Sequence, residues 1–151
     1  MAITLSSSTS KAGLVQPARG RVAAGSMLVL QLIDFRDFVD SYGAEKGVGL
    51  SDQLLSILKT RLTADDQAWR LSDDVIALWF PGDTRGKRSD EVWFSTLQKL
   101  ENPLIIGEFS YRVRIRGGRA RAVNPESRAE QLIERAMAGL VEASPGHIHQ
   151  A

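Results

Sequence analysis

Arg70-Leu71-Ser72-Asp73-Asp74-Val75-Ile76-Ala77-Leu78-Trp79-Phe80-Pro81-Gly82 decides how the rest of the chain is read. Val75, Ile76, Leu78, Trp79 and Phe80 are the β-branched, aromatic and aliphatic types that fill a pleated, buried surface. Pro81-Gly82 closes the run, because proline cannot donate to a ladder and glycine turns cheaply. Ala68, Trp69 and Leu71 form a second short apolar strand on the other side. The spacing predicts a hairpin with Leu71 to Asp74 as its tip. Two adjacent carboxylates on that tip are either a solvated turn or the remnant of a site that held something positive.

Upstream, Met27-Leu28-Val29-Leu30-Gln31-Leu32-Ile33 is a nearly continuous apolar run, which implies a strand covered on both faces. Residues 35–43 read as a short helix with Phe35 and Phe38 on one face and Gly43 as its cap. A second helix is expected over residues 49–62, with Ser51 as N-cap and Leu54, Leu55, Leu58 and Leu62 as the buried stripe. Downstream, a helix over residues 89–100 buries Val92, Trp93, Leu97 and Leu100. Two strands follow, Leu104-Ile105-Ile106 and residues 109–116. In the second, Arg112, Arg114 and Arg116 alternate with Val113 and Ile115 and are expected on one face, until Gly117-Gly118 breaks the pattern. A last helix spans residues 128–143.

The chain has 151 residues, 43% of them hydrophobic, which suits one domain with a substantial core. Residues 1–26, rich in Ser, Thr, Ala and Gly, read as a flexible leader, and residues 144–151 as a flexible tail with His147 and His149 solvated. Lys plus Arg (19) nearly balances Asp plus Glu (18), so no global charge argues for a nucleic-acid or membrane partner. There is no cysteine, which removes disulfides and thiolate metal sites and fits a cytoplasmic setting. No apolar run approaches the ~20 residues of a membrane span.

The hairpin resembles the signature of GGDEF domains, the diguanylate cyclases of bacterial cyclic di-GMP signalling. The family pattern is roughly Arg-Leu-Gly-Gly-Asp-Glu-Phe-Ala-Leu, two apolar residues, Pro-Gly. Arg70-Leu71 and Ala77 to Gly82 fall on it without a gap. Further landmarks are similar: Phe35-Arg36 for the family's Phe-Lys, Tyr42-Gly43 with Gly47, and Ala129-Glu130-Gln131-Leu132-Ile133 in the last helix. The resemblance implies a domain over residues 27–143 with an α+β sandwich fold: a central mixed, mainly antiparallel sheet flanked by helices, as in polymerase palm and nucleotidyl cyclase domains.

It also implies that the site has degenerated, since Ser72, Asp73, Asp74, Val75 and Ile76 stand where the signature belongs. The family holds magnesium with a carboxylate at the end of the first strand and with the signature acids. Here those positions are Gln31 and Asp74-Val75, with Ile33 at a further Asp position. Asp34 is one step off, and one step along a strand points to the other face. The residues that read guanine fall at Val39 and Val48, which cannot hydrogen-bond a base edge, at ~1–3 kcal/mol for each polar group left unpaired. The family His falls at Ala44. The product-inhibition motif Arg-x-x-Asp falls on Thr63 to Asp66; Asp66 is kept, the arginine is lost, and Arg61, two residues away, could substitute only from a different direction, against the geometry that bidentate guanidinium recognition needs.

The expectation is a domain with no metal, cofactor or catalytic residue of its own, serving as a regulatory or protein-interaction module, with a protein partner or a second copy of itself. Arg112, Arg114, Arg116, Arg119 and Arg121 are candidates for an anion or partner surface. Two alternatives stay open. One is a receptor for GTP or cyclic di-GMP that uses Arg61, Arg70 or the later arginine series. The other is residual cyclase activity. Trp79 and Trp93 read as core, with an interface role as the alternative.

Overall fold

The computed structural model describes residues 22–123 and 127–151. Most of the expected leader, and Asn124 to Glu126, lie outside the described residues. The elements run β1 (Gly25–Leu32), α1 (Phe35–Tyr42), α2 (Ala44–Lys59), β2 (Gln67–Ser72), β3 (Val75–Pro81), α3 (Lys87–Lys99), β4 (Leu104–Ile106), β5 (Phe109–Tyr111), β6 (Ile115–Ala122), α4 (Ala129–Glu142) and β7 (Ile148–Gln150). β2, β3, β1, β6 and β7 form one sheet in that order, antiparallel except for the parallel β6–β7 edge. β4 and β5 make a separate hairpin. The mixed sheet flanked by helices is the architecture expected from the strand and helix order.

β1 lies at the centre because it is apolar on both faces: Met27, Leu28, Val29 and Leu30 are all fully buried. β3 pairs with it from Gly25↔Pro81 to Gln31↔Val75. Trp69, Trp79 and Trp93 are each at most 4% exposed, so all three serve the core rather than an interface. α4 lies on β6 and β1, and α3 tucks Trp93 beside Gly117.

Several boundaries differ from the sequence reading, each for a tertiary reason. β1 starts at Gly25, and Val22 is already buried with its N–H bonded to the Ser127 carbonyl, so the ordered chain reaches back before Met27. α2 begins at Ala44 rather than residue 49, and Ser51 is a buried interior residue rather than a cap. Gly43, at φ +98°, is the joint between α1 and α2, a conformation that glycine adopts at least cost. Gly47 faces α1, where a Cβ would press on Val39 and Phe35.

The largest revision concerns residues 109–122. They are not one arginine strand ended by glycines. β5 stops at Tyr111, and β6 runs straight through Gly117-Gly118. Arg112 lies between strands. Arg116 shares a face with Gly118, while Arg119 and Arg121 point to the other side.

The last residues, read as loose, contain β7. Ala151 N donates to the Arg119 carbonyl at 2.7 Å, and Gly117 N to that of His147 at 3.0 Å. Arg119 anchors this edge. Its Nε donates to Gln150 Oε1 at 2.8 Å and its Nη1 to Asp90 Oδ1 at 2.5 Å, bridging β7 to the start of α3. Arg119→Met is expected to speed amide exchange at Gly117 and Ala151 by about tenfold, leaving the β1–β3 amides protected. Equal protection at β7 in wild type and variant would show that the anchor is dispensable.

Candidate functional site

The hairpin tip is shorter than expected. β2 continues to Ser72, paired with Val75 across a bulge between Arg70 and Ser72, so Asp73 and Asp74 alone make the turn. Asp74 is drawn onto the sheet, its carbonyl oxygen accepting from Leu32 N at 2.9 Å. Its carboxylate accepts from Gln31 Nε2 at 3.0 Å and from Ser72 Oγ at 3.1 Å. Asp73 stays exposed. Val75 and Ile76 are buried in the sheet, as strand residues rather than site residues.

Gln31 is opposite Arg116 in the β1–β6 register, and Arg116 Nε donates to Gln31 Oε1 at 2.9 Å. The amide therefore bridges a guanidinium, which can only donate, and a carboxylate, which can only accept. Its orientation follows from those two neighbours. Arg116, Gln31 and Asp74 line a cleft of about 410 Å³ with Asp34, Arg36 and Asp37.

Asp34 is not a strand residue on the opposite face. It adopts the left-handed conformation at φ +61°, which aspartate tolerates better than most, and starts α1. Its carboxylate pairs with Arg114 Nη2 at 2.6 Å.

This donor set does not fit magnesium. A hard divalent cation needs several free oxygens in octahedral array. Here the Gln31 oxygen is taken by Arg116, its nitrogen faces Asp74, and Asp34 is paired. Among the described residues no group of three or more acidic or imidazole side chains gathers where a metal could sit.

The two positions expected from the resemblance to face a base are both valines. Val39 packs toward Gly47, and Val48 is exposed and aliphatic. Arg70 reaches Asp52 Oδ1 at 2.5 Å.

A second cleft, of about 390 Å³, is lined by Thr63, Asp65, Asp66, Asp83, Lys87 and Arg88 among others. Asp66 is buried and accepts from Thr63 N at 2.9 Å and Thr63 Oγ1 at 3.1 Å. Its guanidinium partner is Arg88, at 3.0 Å, which also donates to the Arg61 carbonyl at 2.6 Å. The guanidinium beside Asp66 is therefore that of Arg88, with Arg61 contributing its backbone carbonyl. Arg88 comes from α3, four residues before the buried Val92, a helical spacing that puts the two on one face.

The arginine series does not assemble into one surface. Arg112 donates to the Glu101 carbonyl at 2.6 Å, Arg114 goes to Asp34, Arg116 to Gln31 and Arg119 to Asp90. Arg121 reaches the Arg85 carbonyl at 3.5 Å.

The sequence profile described as "Diguanylate cyclase, GGDEF domain" matches residues 11–147. This chain belongs to the GGDEF family. Among solved structures, an EAL/GGDEF domain protein from M. capsulatus is similar at TM-score 0.78 and 20% identity, over 88% of each chain. The GGDEF domain of DgcB from Caulobacter crescentus, in complex with c-di-GMP, is similar at TM-score 0.74 and 16% identity, over 84% of this chain and 77% of that one. Diguanylate cyclase SiaD from Pseudomonas aeruginosa, in complex with its activator SiaC, is similar at TM-score 0.75 and 18% identity, over 85% of this chain and 50% of that one. No curated protein matches the chain. At these identities the solved structures establish a shared GGDEF fold. No helix among the described residues is long and apolar enough to cross a membrane.

Proposed function

We propose that this GGDEF domain has exchanged nucleotide chemistry for a regulatory, protein-interaction role in cyclic di-GMP signalling. One observation carries the reading: the Gln31 amide joins Arg116 to Asp74 where the family places metal-binding carboxylates. Phosphoryl transfer between nucleotides depends on cations that neutralise phosphate charge and align the reacting oxygens. A neutral amide with both of its polar atoms engaged supplies neither function. The retained sheet and core support a domain kept for its surface. SiaD, a cyclase of this fold, is bound by a protein activator, so recognition of a protein by such a protein has precedent.

The test is turnover. The protein is incubated with GTP and Mg²⁺ or Mn²⁺, and nucleotides are separated by chromatography. The expected result is no cyclic di-GMP above the protein-free control. Product formation that scales with protein concentration would sink the reading.

A further inference from the structure

The first cleft holds an arginine and an aspartate that form no ion pair with each other. Arg116 Nε donates to Gln31 Oε1 at 2.9 Å, and Gln31 Nε2 donates to Asp74 Oδ2 at 3.0 Å. All three side chains are half-buried and line the cleft. The two charges are thus held apart by one carboxamide and two hydrogen bonds. Among the described residues, the terminal nitrogens of Arg116 have no hydrogen-bond or ion-pair partner. An arginine pinned through Nε offers those two nitrogens as an oriented fork, the shape that grips a carboxylate with two parallel bonds. Asp74 accepts from Gln31 on one oxygen and from Ser72 Oγ on the other. An ionised carboxylate has about four acceptor sites, so Asp74 can take a further donor.

The charges along this cleft balance. Asp34 is answered by Arg114 at 2.6 Å. Arg36 and Asp37, neighbours in sequence and both exposed, carry opposite signs. Arg116 and Asp74 make up the rest. A balanced lining gives a nucleoside triphosphate no excess of positive charge, and it lacks the free oxygens that a divalent cation needs. It matches a ligand that carries one charge of each sign.

We propose that this cleft binds a small zwitterion of the α-amino acid class. The ligand's carboxylate takes the Arg116 fork, and its ammonium group donates to Asp74. In an α-amino acid these two groups flank a single carbon, as the oxygen and nitrogen of the Gln31 amide do. The ligand therefore spans from the cleft side the same two partners that Gln31 spans from β1. Ala143 and Pro145 add apolar wall, which suits an aliphatic side chain. The inference rests on the loss of nucleotide chemistry at this cleft, proposed above, and gives the regulatory module a ligand.

The test titrates the full chain with leucine, N-acetyl-leucine and leucinamide, followed by NMR of backbone amides. The three share one side chain and differ in charge: the second lacks the ammonium, the third the carboxylate. Leucine is expected to shift the amides of Gln31, Asp74 and Arg116, with a Kd of about 1 mM or below. Each analogue is expected to bind at least about tenfold more weakly. Arg116→Met should weaken leucine binding about tenfold, and Arg116→Lys, which keeps the charge but not the fork, about threefold. Arg121→Met, outside the cleft, should leave it unchanged. The analogue comparison uses the wild-type chain, so it stands whether or not a variant folds.

The proposal is overturned if either analogue binds as tightly as leucine, or if leucine at its solubility limit moves none of the three amides. Undiminished binding by Arg116→Met, folded by its amide spectrum, overturns it too. Incubation with GTP and Mg²⁺ is read separately. Product there sinks the non-catalytic reading, and silence with leucine sinks the ligand alone.

Discussion

Gly118→Ala is expected to leave little folded protein, with a loss of stability of about 3 kcal/mol or more. β6 and α4 meet backbone to backbone at this position. A Cβ here would run into the Ala136 carbonyl oxygen and the Leu140 nitrogen, and would lie 3.0 Å from Gly139 C. None of these is the movable end of a side chain. Relief therefore requires α4 to lift from the sheet, which would loosen the helix that covers β6 and β1. Gly49→Ala is the control. Gly49 lies inside α2, and nothing is within 4 Å of its Cβ position. Alanine there removes a poor helix former and is expected to stabilise by up to about 1 kcal/mol. Urea denaturation of both variants checks the pair, and a Gly118→Ala midpoint within error of wild type would show that the helix has room to move.

Asp83→Ala is expected to cost about 2–4 kcal/mol, combining a lost helix cap with an orphaned buried hydroxyl. Gly86 is the N-cap of α3 and has no side chain to cap with. Asp83 does it from three residues back, accepting from Arg88 N at 2.8 Å and Ser89 N at 3.0 Å, two of the donors a helix start leaves free. The same carboxylate accepts from Ser26 Oγ at 2.6 Å, and Ser26 is fully buried in β1. One side chain thus ties the central strand to α3. In a Ser26→Ala background Asp83→Ala should cost less, because the hydroxyl is no longer there to be orphaned.

The same carboxylate sets a pH dependence. Burial alone would raise its pKa, but the hydrogen bonds from Ser26, Arg88 N and Ser89 outweigh burial and hold it below the usual carboxylate value. A group depressed in the folded state contributes stability above its unfolded pKa, about 3.9, and loses it as pH falls toward the folded value. Wild type should therefore lose stability more steeply below about pH 4 than Asp83→Asn, which lacks the titrating group. Parallel denaturation curves for the two proteins from pH 5 to pH 2.5 would contradict the assignment.

Much of the fold was legible in the chain. A run such as Met27 to Leu32, apolar on both sides, has no stable place except the middle of a covered sheet. Val75 to Phe80, ended by Pro81-Gly82, can hardly be anything but its neighbour. The neutral character of Gln31, Val75, Val39 and Val48 was also legible, because lacking a charge is a property of the residue itself. These local facts needed no contact to be seen.

Other features depended on groups far apart in sequence. Gly117-Gly118 reads as a break when only propensity is weighed. It is the interior of β6 because Trp93 and α4 need the space that a side chain would take. The alternating arginines read as one face, but the chain leaves the ladder after Tyr111, and each guanidinium goes to a different partner. Arg88 reaches Asp66 across 22 residues, and Arg116 reaches Gln31 across 85. Composition and periodicity determined which segments are buried and which side chains stand at the signature positions. Only the folded chain decided which surviving charges meet, because a hydrogen bond depends on positions in space that no window of sequence contains.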